Sequence, residues 1–285
     1  MLKSPTTYAQ QIALLCSRGC FVEDEAFAEE ALSRINYYRL SAYFLPYKAS
    51  SDSYQPGTSF SKIYQLYEFD RKLRNTLARA IESAEVNLRA KLSYHHAHKY
   101  GALGYLDAAN FNAQHRHDAF LERLDAEINS NRKKLFVQHH LTKYNGEFPV
   151  WVITELFTLG MLSYFYADLP VADQKALAKE LCGTTHKNLG SWLRCCTDLR
   201  NICAHYGRLY YGKFISVPAN LSHVTPDSQR RLWAAVMALR ELYPDAGGWN
   251  SEIVESISAL ISEYAGVVKL KHIGFPENWE VLLKK

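Results

Sequence analysis

An all-helical fold is what this amino-acid sequence predicts, and three observations predict it. Apolar residues recur at three- and four-residue spacing almost throughout, as one face of a helix requires. The polar/apolar alternation of a half-buried strand is nearly absent, so strand content should be minimal. A chain of 285 residues that is 48% hydrophobic can bury a large core, and no Gly/Ser- or Pro-rich tract is long enough to link separate domains. One compact body is expected, with residues 1–57 as an N-terminal helical segment packed on the core, 58–215 as the helical core and 216–285 as a C-terminal helical extension.

The first helices should cover roughly Tyr8 to Arg18 and Glu23 to Arg34, followed by the aromatic run INYYRLSAYFLPY from Ile35 to Tyr47, suited to core or dimer packing. ASSDSYQPGT, Ala49 to Thr58, is a loop, because its Ser, Asp, Pro and Gly all favour turns. From Ser59 a long helix begins, with Ile63, Leu66, Phe69, Leu73, Leu77, Ala80, Ile81, Ala84 and Leu88 as its apolar stripe, and it should stop at Tyr100-Gly101. Further helices are expected near Ala113 to Lys143, Val150 to Tyr166, Val171 to Leu181 and Leu189 to Tyr206. Beyond Pro218 come two more, Pro226 to Leu242 and Glu252 to Tyr264, and a short ending around Pro276 to Leu283. No internal repeat or low-complexity tract interrupts the pattern.

The formal net charge of +4 is too small for a protein that coats DNA, so any nucleic-acid site must be a local patch. Cys16, Cys20, Cys182, Cys195, Cys196 and Cys203 form no CxxC pair and no framework spacing, and read as reduced core residues. The N-terminal stretch has only a short apolar run and no small-residue cleavage site, and nowhere do about 18 apolar residues run without charge. A cytoplasmic chain with no membrane partner is expected.

The segment SWLRCCTDLRNICAHYGRLYYGKF, Ser191 to Phe214, carries the chemistry. At about 100° per residue, Trp192, Cys196, Leu199 and Cys203 form a buried stripe, while Arg194, Asp198, Asn201, His205 and Arg208 share roughly the opposite side. Asn201, His205 and Arg208 are surface neighbours if the helix continues that far. Arg200, five residues before His205, points about 140° away, so its long side chain, a helix distortion or a second subunit would have to bring it to the same phosphate. Such a cluster suits RNA cleavage by attack of the ribose 2′-OH on the adjacent phosphate, which needs proton transfer and charge stabilisation but no metal. Histidine transfers protons near neutral pH, a guanidinium holds two phosphate oxygens, and an amide such as Asn201 can orient the imidazole or bind a phosphate oxygen. The spacing also fits a plainer arrangement, a solvated helix face or an ion-pair network around Asp198.

The wider sequence resembles the Abi-like AbiD/AbiF family in blocks spread over most of the chain. They are INYYRLSAYFLPY (Ile35 to Tyr47), FDRKLRNTLARAIESAEVNLRAKL (Phe69 to Leu92), FPVWVITELFTLGMLSYFYADL (Phe148 to Leu169), LRNICAHYGRLY (Leu199 to Tyr210) and IGFPENW (Ile273 to Trp279). The resemblance implies a HEPN-like helical bundle with additional N- and C-terminal helices. It implies a homodimer whose Arg-Asn-x-x-x-His motifs, here Arg200, Asn201 and His205, meet across a two-fold axis as a metal-independent endoribonuclease without cofactor. It further implies phage defence by abortive infection, toxin-antitoxin behaviour, and in some members a small non-coding RNA partner. The family commonly continues from the motif into Trp-Asn-Arg, whereas this chain departs from that pattern with Arg208-Leu209-Tyr210-Tyr211-Gly212; Arg208, with Arg194 and Asp198, is a candidate to support the motif or to bind RNA. A related HEPN group has a modifiable Tyr two residues after His; Gly207 stands there and Tyr206 precedes it, so regulation at that tyrosine is not expected.

On the long helix, Glu82, Glu85 and Arg89 share one face beside the apolar stripe, placed either to orient the motif Arg and His or to form an intrahelical ion-pair ladder. His95, His96 and His98, the pair His115 and His117, and the pair His139 and His140 lack a carboxylate or cysteine at metal-ligand spacing, so no metal is expected. Arg71, Lys72, Arg74 and Arg79, with Arg132, Lys133 and Lys134, are candidates to guide an RNA backbone. Tyr37, Tyr38 and Tyr43 could stack on unpaired bases but suit packing better. The expected partner is RNA, as the substrate of a growth-arresting toxin and as a small non-coding antitoxin. Two other classes stay open: a non-catalytic protein that holds a small partner RNA on the same ridge, and a structural helical dimerisation module.

Overall fold

One helix of 41 residues, α4 (Phe60–Tyr100), runs about 60 Å and gives the other elements their common surface. Ser59 caps its start and Gly101, at a φ of 84°, ends it. Its stripe from Ile63 to Leu92 is buried as the periodicity requires. The computed structural model describes residues 4–285, and among them it is all-α, with no strand or sheet beyond two isolated bridges, Phe21 with Ser59 and Lys48 with Tyr54.

Before α4 come α1 (Tyr8–Ser17), α2 (Glu25–Arg34) and α3 (Tyr37–Ser41), with a 3₁₀ turn over Ala42–Tyr47. A capping box between Thr7 and Gln10 starts α1, and Asp24 caps α2. Backbone bonds from the Phe21 amide to the Thr58 carbonyl (2.9 Å) and from the Phe60 amide to the Phe21 carbonyl (2.8 Å) fasten this segment to the head of α4.

After α4 the expected single run over Ala113 to Lys143 is two helices, α5 (His117–Ser130) and α6 (Leu135–Lys143). Ser130 to Lys134 offer no apolar side chain to bury, and the Asn131 amide group turns back onto the Glu127 carbonyl (2.8 Å). The run from Val150 likewise divides into α7 (Val150–Ile153), a 3₁₀ turn and α8 (Leu159–Asp168). The Thr158 hydroxyl accepts from the Met161 amide and makes Thr158 an N-cap rather than a helix interior.

Then follow α9 (Val171–Cys182), α10 (His186–Ala204) and α11 (Leu232–Leu242), the last beginning six residues later than expected because Thr225 and Ser228 bond each other in a turn. The C-terminal part comprises α12 (Ala246–Gly248), a π-helical turn over Trp249–Val254, α13 (Glu255–Glu263), α14 (Leu270–Ile273) and α15 (Trp279–Leu283). Helix α10 lies at the centre, packed against α4, α8, α9 and α11, while α13 covers another part of α4. One continuous core that includes Trp233, Trp249, Tyr166, Tyr210 and Phe69 joins them. All six cysteines are free; Cys16 is exposed and Cys182 half-buried, so these two are not the core residues the sequence implied. No helix among the described residues is long and apolar enough to cross a membrane.

His96 of α4 is fully buried between the rings of Tyr100, Phe111 and Phe165, and neither ring nitrogen has a hydrogen-bond partner. Burial, with the nearby His95, lowers its pKa to about 4. The unfolded chain therefore binds a proton here that the folded chain refuses, and stability is lost as pH falls from about 6.5 towards about 4, by up to roughly 3 kcal/mol. Replacing His96→Phe should reduce that loss in urea melts repeated across this pH range. A variant as acid-sensitive as the parent contradicts the reading.

Candidate functional site

The end of α10 is shaped by the residues after it. His205 is the C-cap, and Tyr206 takes a left-handed conformation with φ of 57°. The Gly207 amide donates to the Ile202 carbonyl (2.7 Å) and the Tyr206 amide to the Cys203 carbonyl (3.2 Å), the paired bonds of a Schellman turn. A tyrosine at that left-handed position costs about 1–2 kcal/mol relative to an ordinary helical residue, so something else must hold the turn.

That something is a buried cluster on α4. The Asp70 carboxylate, wholly buried, accepts from the backbone amides of Tyr210 (2.7 Å) and Leu209 (3.1 Å), from the Tyr43 hydroxyl (2.7 Å) and from the Arg74 guanidinium (2.6 Å). Arg74, also buried, donates in addition to the Gly207 carbonyl (3.0 Å). Arg39 donates to the Tyr206 carbonyl (2.6 Å), and Arg208 to the carbonyl of Ala42. Burial pushes the Asp70 carboxyl above the usual carboxylate range, while Arg74 and the three other donors pull it back. Backbone from Tyr206 to Tyr210 is thus gripped from behind, and His205 stands exposed at the rim.

Because α10 ends at Ala204, Arg208 is not on the ridge expected for it; it turns back towards Ala42 and is half-buried. Asn201 is exposed, and its side-chain oxygen accepts from Arg200 (3.4 Å) rather than from the His205 imidazole, which has no hydrogen-bond partner among the described residues. Asp198 accepts from the Ser216 amide (2.9 Å), and Arg194 is exposed and unpaired among the described residues. Both line a hollow of about 200 Å³ with Thr197 and Tyr164. Arg200 leaves the helix on another side, into an open cavity of about 540 Å³ lined by Glu82, Glu85, Arg89, Cys203 and Tyr206. Among the described residues no hydrogen bond joins Arg200 to His205, and His205 does not line the cavity that Arg200 enters.

Glu82, Glu85 and Arg89 share the cavity with Arg200 but do not bond it. Arg89 pairs with Glu85 (2.8 Å) and donates to the carbonyls of Thr154 (2.9 Å) and Phe157 (3.0 Å), tying α4 to the corner before α8. Burial pushes the Cys203 thiol up to about 12, so it is no thiolate nucleophile at neutral pH. His115 pairs with Asp168 (2.8 Å), and His95 with Asp173 (3.1 Å). Arg74 cannot guide RNA, being buried under the turn, while Arg71 is held by Glu68 (2.7 Å) and Lys72 by Glu263 (2.5 Å). Tyr43 is likewise buried against Asp70, whereas Tyr38 is exposed.

The Asp70–Arg74 cluster is the element that sequence reasoning missed. One signal was present: on the wheel Asp70 falls within about 40° of Leu66 and Leu77, inside the apolar stripe where an unpaired carboxylate would be costly.

The family described as Abi-like protein matches residues 30–211, which include the Asp70–Arg74 pair, α10 and the turn after it. No curated protein and no solved structure matches the chain.

Removing Arg74 leaves the Asp70 carboxylate buried and uncompensated, so Arg74→Ala should cost about 3–5 kcal/mol in equilibrium urea unfolding. Arg79→Ala, on the exposed side of the same helix, should cost less than about 1 kcal/mol. Equal costs for the two would contradict the assignment of the buried pair.

Proposed function

Since the chain belongs to the Abi-like protein family, and that membership supports a role in abortive infection, we propose that it acts there as a metal-independent endoribonuclease of HEPN type, with Arg200, Asn201 and His205 at its centre. The observation that carries this reading is His205 itself: an exposed, unengaged imidazole on a turn held rigid by a buried ion pair, one helical turn from the Asn201–Arg200 contact. A group that must accept and release a proton at a phosphodiester has to be accessible and fixed in place.

The chemistry needs no group beyond this chain and its copy. His205 takes the proton of a ribose 2′-OH, the oxygen attacks the adjacent phosphorus, and the 5′-oxygen leaves with a proton from the imidazolium of the second copy's His205, giving a 2′,3′-cyclic phosphate and a 5′-OH end. A guanidinium stabilises the charge that builds on the phosphate oxygens. Arg200 enters a cavity that His205 does not line, so a homodimer supplies the convergence: Arg200 of one copy and the imidazole of the other flank one phosphate. Cleavage of cellular RNA would arrest growth, and a small non-coding RNA is the antitoxin this mode admits.

The separation of Arg200 from His205 also favours a second reading, in which the protein holds a small partner RNA without cutting it. One assay separates the two. Purified protein freed of antitoxin should cleave total cellular RNA in EDTA and leave cyclic-phosphate ends, and His205→Ala should lower the rate by roughly 10²–10⁴-fold with the fold intact. Salt-sensitive binding without turnover in the parent protein assigns the second reading, and full activity in the His205 variant removes that residue from the mechanism.

A further inference from the structure

We propose that the groove between α5 and α8, continued across Tyr164 to Arg194 of α10, binds a single-stranded stretch of the RNA whose scissile phosphate lies at His205. The two hollows involved, of about 460 and 200 Å³, meet at Tyr164 of α8, which lines both and is 68% exposed. Arg116 and Arg123 stand over the larger hollow and Arg194 over the smaller. All three are exposed, and none has a hydrogen bond or ion pair among the described residues.

The groove lining carries a cationic excess, three guanidinium groups against two carboxylates. On α5, Ala119, Phe120 and Arg123 lie on one arc and line the hollow, with Glu127 on the same arc one turn beyond Arg123 but outside the lining, while Asp118, Glu122 and Asp125 lie on another arc about 140° away. Two carboxylates also line the groove, each engaged through one oxygen, Asp168 by His115 (2.8 Å) and Asp198 by the Ser216 amide (2.9 Å). Guanidinium groups are left facing an open channel whose floor is aromatic, from Phe120 and Phe165, and whose crest is the exposed ring of Tyr164. Unpaired cations flanking an aromatic platform are what a single strand recognises, phosphates by charge and bases by stacking. A duplex keeps its bases stacked inside and cannot use the ring.

The channel also leads to the proposed centre. Arg194, Asp198, Asn201 and His205 succeed one another along one side of α10, and Arg194 lies about 16 Å from His205 along the axis. A strand lying in the groove is therefore delivered to the imidazole from the side opposite the Arg200 cavity. Binding in the groove stands on its own geometry, whereas its assignment to the substrate strand rests on the nuclease reading.

The probe is a 2′-O-methylated single-stranded oligonucleotide, which lacks the attacking hydroxyl and reports binding alone by fluorescence anisotropy. Tyr164→Ala should weaken binding on the order of tenfold, with Tyr164→Phe close to the parent, because stacking uses the ring and not the hydroxyl. Arg116→Glu with Arg123→Glu should weaken it further and lower the log–log salt slope by about 1.4, two contacts at about 0.7 each. Parent-like binding in these variants overturns the groove, whether or not the protein cuts RNA. In cleavage assays the double variant should raise KM for a long substrate, leave kcat, and leave a dinucleotide substrate unaffected. Weakened binding with unchanged KM overturns the assignment to the substrate strand, while absence of any cleavage by the parent counts against the nuclease reading and leaves the binding result to decide the groove.

Discussion

The arrangement rests on a carboxylate and a guanidinium buried one turn apart on the longest helix. Asp70 and Arg74 are out of water, and a buried ion pair is maintained only where further hydrogen bonds complete it. Here the completing partners are the Tyr43 hydroxyl, the amides of Leu209 and Tyr210 and the carbonyl of Gly207. The pair in α4 thus needs the turn after α10 as much as that turn needs the pair, and three segments distant in sequence are locked by one electrostatic requirement. The turn includes a non-glycine left-handed residue, Tyr206, which local propensity alone would not select.

This lock gives α10 its division of labour. Its buried stripe, from Trp192 to Cys203, is held by the surrounding helices, and its end is fixed by α4, so the polar residues are released from structural duty unevenly. Asp198 serves the fold by receiving the Ser216 amide, and Arg208 serves it by returning to Ala42. Arg194, Arg200, Asn201 and His205 keep groups available to a ligand, on two sides of one helix. Such an asymmetric exposure is what the proposed two-copy centre and its proposed groove both require.

Much of this was legible in the sequence. The all-α class followed from periodicity, and the extent of α4 followed from its stripe and its Tyr100-Gly101 stop. What could not be read were features decided by competition at single residues: Thr158 acting as a cap and the polar Ser130 to Lys134 stretch dividing a run. Asp70 and Arg74 were hidden for a different reason. In FDRKLR they read as one acidic residue among basic surface ones, and their burial depends on backbone amides about 140 residues further along the chain.

The buried pair fixes the turn that presents His205. Amide hydrogen exchange followed by NMR tests it most directly, since Leu209 and Tyr210 lie outside any helix and Asp70 is the hydrogen-bond acceptor of both their amides. The account predicts that these two amides exchange as slowly as those in the middle of α10, and that Asp70→Asn releases them while α10 stays protected. Exchange of both amides at the rate of an open loop in the parent protein would contradict it.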